Sequence, residues 1–148
     1  MKLIYIAGPY SGRTHDVRSY CEIERNISNA REAALWCARH DIAFFCPHLN
    51  TCHFETILPE VKKEFYLKLD LRVAEFCDGA LMLPGWTESR GSRLEYEYFT
   101  QRQGFRIFDY PAERARLLEW SKECTSEERS TLLVKASMIG AKPGALGT

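Results

Sequence analysis

The feature that most constrains this chain is a rhythm. Short, mostly apolar runs alternate with longer stretches in which apolar residues recur every three or four positions. The apolar runs are residues 2–7 (Lys-Leu-Ile-Tyr-Ile-Ala), 42–46 (Ile-Ala-Phe-Phe-Cys), 79–83 (Gly-Ala-Leu-Met-Leu) and 105–108 (Phe-Arg-Ile-Phe). They stop at Gly8-Pro9, Pro47, Pro84 and just before Pro111. Proline lacks the N–H that a ladder needs, so each stop reads as a strand end. Between them, Ile23, Ile27, Ala30, Ala34 and Cys37 mark a helix over about 21–40. Val61, Phe65, Leu69, Val73 and Phe76 mark the apolar side of a second over 61–77. Leu94, Tyr98 and Phe99 mark a third over 92–103, and a fourth runs over about 112–122.

Strands apolar on both sides must be covered on both faces, and alternation with helices gives parallel pairing. The pattern therefore predicts one α/β domain over 1–122, Rossmann-like (flavodoxin-like). Its sheet is mostly parallel, with 4–5 strands and helices on both faces. Such folds bind ligands outside the carboxyl ends of their strands. The loops there are 8–20, 47–60 and 84–91, and they hold most of the notable polar residues. Residues 123–148 are set apart: Thr125 and Glu128 read as a capping box opening a further helix. A flexible end follows from Lys142, with a role in oligomer contacts.

Charge excludes some partners. Lys plus Arg and Asp plus Glu both number 20, so the basic footprint of a nucleic-acid binder is absent at whole-chain level. No apolar run approaches the ~18 residues of a membrane span. The opening residues read as a first strand rather than a signal peptide. Six cysteines without a Cys-x-x-Cys pair read as reduced, buried thiols, which suits a cytoplasmic protein.

Four places hold candidate chemistry. Gly8, Ser11, Gly12 and Arg13 follow the first strand, where backbone amides, a hydroxyl and a guanidinium suit an anion; the plainer reading is an ordinary strand-to-helix turn. Ser89, Gly91 and Ser92 stand at the expected opening of the third helix, a second anion-binding position. Glu95 falls close to that opening, where an acidic residue is also favoured for electrostatic reasons alone. Asp70 lies inside a helix between two leucines, a poor helix former that calls for a reason; a solvated or satisfied carboxylate is the alternative. His48, Cys52 and His53 match no standard zinc spacing, so no metal is expected, and His48 is instead read as lining the pocket.

In order and spacing, these parts resemble the nucleoside 2-deoxyribosyltransferase superfamily over about residues 2–110. The resemblance rests on Ala7-Gly8-Pro9-Tyr10-Ser11-Gly12, Pro47-His48, Asp70, Cys77-Asp78-Gly79-Ala80 and Gly91-Ser92-Arg93-Leu94-Glu95. Within that superfamily the chain looks closer to the (deoxy)nucleoside 5′-monophosphate N-glycosidases. The resemblance implies that Glu95 is a nucleophile attacking C1′, that Asp70 protonates or hydrogen-bonds the leaving base, and that Tyr10 holds the nucleophile or the sugar. It further implies a phosphate-accommodating serine at Ser89, six residues before Glu95, where enzymes acting on free nucleosides carry an aspartate. A serine can donate to a phosphate that an aspartate would repel. Pro9 and Tyr10 depart from the family pattern. Trp86 and Arg90 lack a counterpart there and are assigned to a cap over the base pocket or to a lid.

The expectation is thus a cofactor-free N-glycosidase that cleaves a nucleotide to free base and sugar 5-phosphate. Base exchange between deoxynucleosides, as in a transferase, and a non-catalytic nucleotide sensor are the alternatives. The expected partner is a small nucleotide or nucleoside, with no nucleic acid and no membrane. A homodimer or higher homo-oligomer is also expected; Tyr96, Tyr98, Phe99 and Trp120 are aromatics available to an interface, with ordinary core packing as the plainer reading.

Overall fold

The computed structural model describes residues 1–11, 19–123, 134 and 138. The four apolar runs become strands β1 (Leu3–Ala7), β2 (Ala43–Phe45), β3 (Gly79–Met82) and β4 (Arg106–Asp109). They form one sheet in the order β2-β1-β3-β4, every pair parallel. The helices are α1 (Tyr20–Arg39), α2 (Pro47–Asn50), α3 (Phe54–Ile57), α4 (Lys63–Ala74), α5 (Arg90–Thr100) and α6 (Arg114–Lys122). A single 3-10 turn, Trp86–Glu88, precedes α5. This is the α/β fold the alternation predicts, and the strand order reverses between β1 and β3.

Strand alternation splits the core in two. Ile4 and Ile6 of β1, with Leu81, Leu83 and Phe108, pack against Ala30, Ala33, Ala34 and Cys37 of α1 and Leu117 of α6. Tyr5 and Ala7 point the other way, with Ala80 and Met82, against Ala74 of α4 and Phe99 of α5. Small residues at 7, 74 and 80 leave space for the rings of Tyr5 and Phe99, whose centroids lie 5.4 Å apart edge to face. Tyr5 is a polar-tipped residue within a buried strand, so its hydroxyl needs a partner on this second face.

Two close approaches set the sheet edge. A Cβ on Gly8 would stand 2.7 Å from the Leu83 side chain, so only glycine lets the loop after β1 cross the end of β3. The Leu83 N–H donates to the Ala7 carbonyl at 2.7 Å and locks that crossing. On the far side, Arg102 donates to the carbonyls of Ala74, Glu75 and Cys77 and so ties α5 to the end of α4.

Several expectations are corrected. The apolar stripe of the 61–77 segment does not face the core: Phe65 is 55% exposed and Phe76 68% exposed. The inner stripe is Tyr66, Asp70 and Ala74, about 100° round the helix, because the small Ala74 lets α4 close on Tyr5 and Phe99. The segment read as a loop over 48–60 contains α2 and α3. Helix α5 opens at Arg90 rather than at Gly91-Ser92, because Ser89 is its N-cap and accepts from the Ser92 N–H at 3.3 Å. Among the four aromatics offered to an interface, Phe99 is buried and Tyr96, Tyr98 and Trp120 are half-buried. Asp78 does end a turn, and its carboxylate accepts from the Leu3 N–H at 2.6 Å. Gly12, Arg13 and the Thr125 helix start lie outside the described residues. No described helix is long and apolar enough to cross a membrane.

Candidate active site

Parallel strands bring the ends of β1, β2 and β3 to one edge, and α4 and α5 both start there. Their first turns flank the point where the strand order reverses. The centre of the site lies below that edge, where Tyr5 reaches between the two helices. Its hydroxyl donates to Glu95 Oε1 at 2.6 Å, a buried, charge-assisted hydrogen bond. Glu95 is 8% exposed although it sits in the second turn of a helix that begins at the surface.

Burial raises the Glu95 carboxyl to about 8; the Tyr5 hydroxyl pulls against that rise, and the nearby charge of Asp70 adds to it. Asp70 rises to about 7 because it too is desolvated. Tyr5 is pushed well above its ordinary value, first by burial and then by the charges of Glu95 and Asp70. Two buried carboxyls that feel each other titrate as a pair. Near neutrality the pair holds both a proton and a negative charge, which is the requirement for combined acid and nucleophile chemistry. Tyr5 donates to Glu95, whereas Asp70 Oδ1 is buried and has no hydrogen-bond partner. In the free protein Glu95, raised further than Asp70, holds the shared proton more firmly, and the Tyr5 donor opposes that order without reversing it.

The buried polar atoms that lack a partner among the described residues are His48 Nδ1, Tyr66 Oη, Asp70 Oδ1 and Ser92 Oγ. All four sit on elements that follow the strand ends at this edge: α2 directly after β2, α4, and the first turn of α5. A buried polar group without a partner costs roughly 1–3 kcal/mol. The opposite edge of the sheet offers a contrast. A cavity of about 300 Å³ there is lined by Lys2, Asp78, Arg102 and Trp120, among others. Its three charged groups are engaged: Lys2 donates to the Trp120 carbonyl, Arg102 holds three carbonyls and Asp78 holds Leu3.

The remaining sequence-predicted residues divide. Ser89 caps α5 and Gly91 is exposed beside it, so hydroxyl and helix-end amides meet at the cleft rim. Gly8 belongs to the crossing described above, and Ser11 is exposed beyond it. His48 is 5% exposed; its Nε2–H donates to the Pro9 carbonyl at 2.9 Å. That tautomer leaves Nδ1 with a bare lone pair, and burial lowers the ring's proton affinity, so His48 is a neutral strut under the loop rather than a cation for phosphate. Tyr10 does not reach Glu95. Its hydroxyl accepts from the His53 N–H at 2.9 Å and donates to Glu55 at 3.0 Å, fastening the loop to α3. Burial, followed by smaller contributions from Glu55, raises that phenol to about 12. The tyrosine that holds the glutamate is Tyr5, which the sequence reading assigned to the strand core. A polar-tipped aromatic in an all-apolar strand was the available signal.

Trp86 packs between α5 and the end of β4. Its ring stacks on Tyr96 with centroids 4.3 Å apart, and its Nε1–H donates to Asp109 at 3.3 Å. Arg90 is exposed on the first turn of α5. Among the described residues no group of His, Cys, Asp and Glu could hold a metal ion, and His48, Cys52 and His53 accordingly form no such cluster.

Compared with known protein families, the chain matches the model of a domain of unknown function, DUF4406, over residues 2–109. The match spans β1 to β4 and every residue of the cleft. No curated protein matches the chain. The chain belongs to the DUF4406 family.

Proposed function

We propose that this member of the DUF4406 family is an N-glycosidase acting on a (deoxy)ribonucleoside 5′-monophosphate. The observation that carries the reading is the buried Glu95–Asp70 pair, with Tyr5 donating to Glu95, at the reversal point of a parallel sheet. Substrate binding places the pair's proton on Asp70, and in the first step the Glu95 carboxylate bonds to C1′ as the C1′–N bond breaks. The electron pair goes to the base nitrogen, and the Asp70 carboxyl supplies its proton. In the second step water attacks C1′, Asp70 takes its proton, and the ester releases Glu95 as carboxylate. Two displacements give net retention. Tyr5 stabilises the anionic Glu95 before attack and after release.

The phosphate is assigned to Ser89 and the first-turn amides of α5, with Gly8 and Ser11 on the facing loop. Ser89 spends a lone pair on the Ser92 N–H, which leaves its hydroxyl proton to donate. Asp at this position would cap the helix equally well but would repel the phosphate. No cofactor enters these steps.

The test is a chromatographic turnover screen with the common ribo- and deoxyribonucleosides and their 5′-monophosphates. It is run with and without a second free base, beside Glu95→Ala. Free base released from a monophosphate and lost in the variant is the expected result. A new nucleoside formed only with added base would replace hydrolysis by base exchange. Ligand binding without any turnover, unaltered in Glu95→Gln, would replace the enzyme by a sensor.

A further inference from the structure

Tyr66 is absent from the chemistry above, yet it shares its chief peculiarity. Its hydroxyl is buried and has no hydrogen-bond partner, as is Asp70 Oδ1. The two residues stand at i and i+4 on α4, so their side chains share one helix face about 5–6 Å apart at Cβ. That face is the inner one, because the next residue along it, Ala74, is fully buried in the core with Tyr5 and Phe99. Helix α4 runs down from the ligand-binding edge, which puts Tyr66 one turn nearer the mouth than Asp70. The inner face of α4 therefore carries a pair in line: the Asp70 carboxyl, and the Tyr66 phenol one turn nearer the edge.

We infer that Tyr66 and Asp70 together form the base-binding wall, with the Tyr66 hydroxyl hydrogen-bonding a ring or exocyclic polar atom of the base while Asp70 serves the nitrogen that leaves. The inference rests on the glycosidase reading and adds to it the group that recognises the base. A leucine or phenylalanine would close this face without an orphaned hydroxyl. A phenol both donates and accepts, so it serves a keto or an amino substituent.

The decisive variant is Tyr66→Phe in the full chain. Because the hydroxyl has no partner within the protein, its removal should leave the melting temperature of the free protein unchanged or raise it. The probes are each common free nucleobase, ribose 5-phosphate and deoxyribose 5-phosphate, measured by calorimetry, together with the nucleoside 5′-monophosphate turnover panel. The expected result is an affinity loss of about tenfold for the nucleobase that the wild-type protein binds, with sugar-phosphate affinity unchanged. A matching rise in KM should accompany it. A melting temperature several degrees lower would make Tyr66 a structural residue and overturn the inference. Unchanged base affinity in a protein that cleaves nucleotides would overturn it while leaving the glycosidase reading intact. Wild-type protein that neither binds nor cleaves any probe would remove both.

Discussion

Glu95→Gln should stabilise this protein at alkaline pH, and the size of the effect follows from the site. The folded protein raises the Glu95 carboxyl from its ordinary 4.5 to about 8, chiefly by burial. Folded chains therefore bind a proton that unfolded chains release between those values. By linkage the stability contributed by this group is fully present below about 4.5 and is lost as pH rises toward 8. The slope is about 1 kcal/mol per pH unit within that window, which caps the loss at roughly 3–5 kcal/mol. Asp70 slopes in the same direction up to about 7, and the substitution leaves that part in place. Glutamine keeps an oxygen to accept from Tyr5 but adds a buried amide, which costs about 1 kcal/mol at every pH. The variant should thus be slightly less stable than wild type at pH 4.5 and more stable at pH 9, by about 2–3 kcal/mol. Urea denaturation followed by far-ultraviolet circular dichroism at pH 4.5, 7 and 9 measures both curves. Parallel curves, or a variant that loses ground as pH rises, would refute the claim that Glu95 is buried at the expense of the fold.

Three further expectations follow from single contacts. Tyr5→Phe removes the donor that pulls the Glu95 carboxyl down, so the ascending limb of a pH–rate profile should move to higher pH and turnover at neutrality should drop at least tenfold. An unmoved limb would show that Tyr5 is core filler. Ser89→Asp preserves an N-cap on α5, so unfolding midpoints should stay within about 0.5 kcal/mol of wild type. The ratio of kcat/KM for a monophosphate to that for its nucleoside should meanwhile fall by an order of magnitude or more. Gly8→Ala drives a methyl to 2.7 Å from Leu83, which the Ala7 carbonyl holds in place, and should cost about 1–3 kcal/mol by denaturant titration.

Residues 2–108 announced their architecture because an all-parallel, doubly covered sheet demands strands without a polar face, and helices between them of regular spacing. Proline stops then located the strand ends, and with them the edge where the candidate site lies. Asp70 stood out locally as a poor helix former inside a helix, whereas Glu95 and Ser89 were singled out by their resemblance to a family pattern, since an acidic residue and a serine near a helix start are ordinary there. The reading failed where a local pattern was satisfied by the wrong partner. The Phe65–Leu69–Val73 stripe of α4 is the more apolar one, yet Ala74 and the bulk of Phe99 rotate Asp70 and Tyr66 inward instead. Tyr10 stood in the expected loop, but the α2–α3 segment rises to meet it with His53 and Glu55.

Local composition alone therefore determined the class of fold, the edge that holds the site and the residue types available for chemistry there. Tertiary structure decided which of two tyrosines touches Glu95, which face of α4 lines the cleft, and how far two carboxyls are withdrawn from water. The physical reason is range. Propensity, capping and strand stops act over a few neighbouring residues. A 2.6 Å hydrogen bond between residues 5 and 95, and the desolvation that raises both Glu95 and Asp70, exist only once three distant segments have packed together.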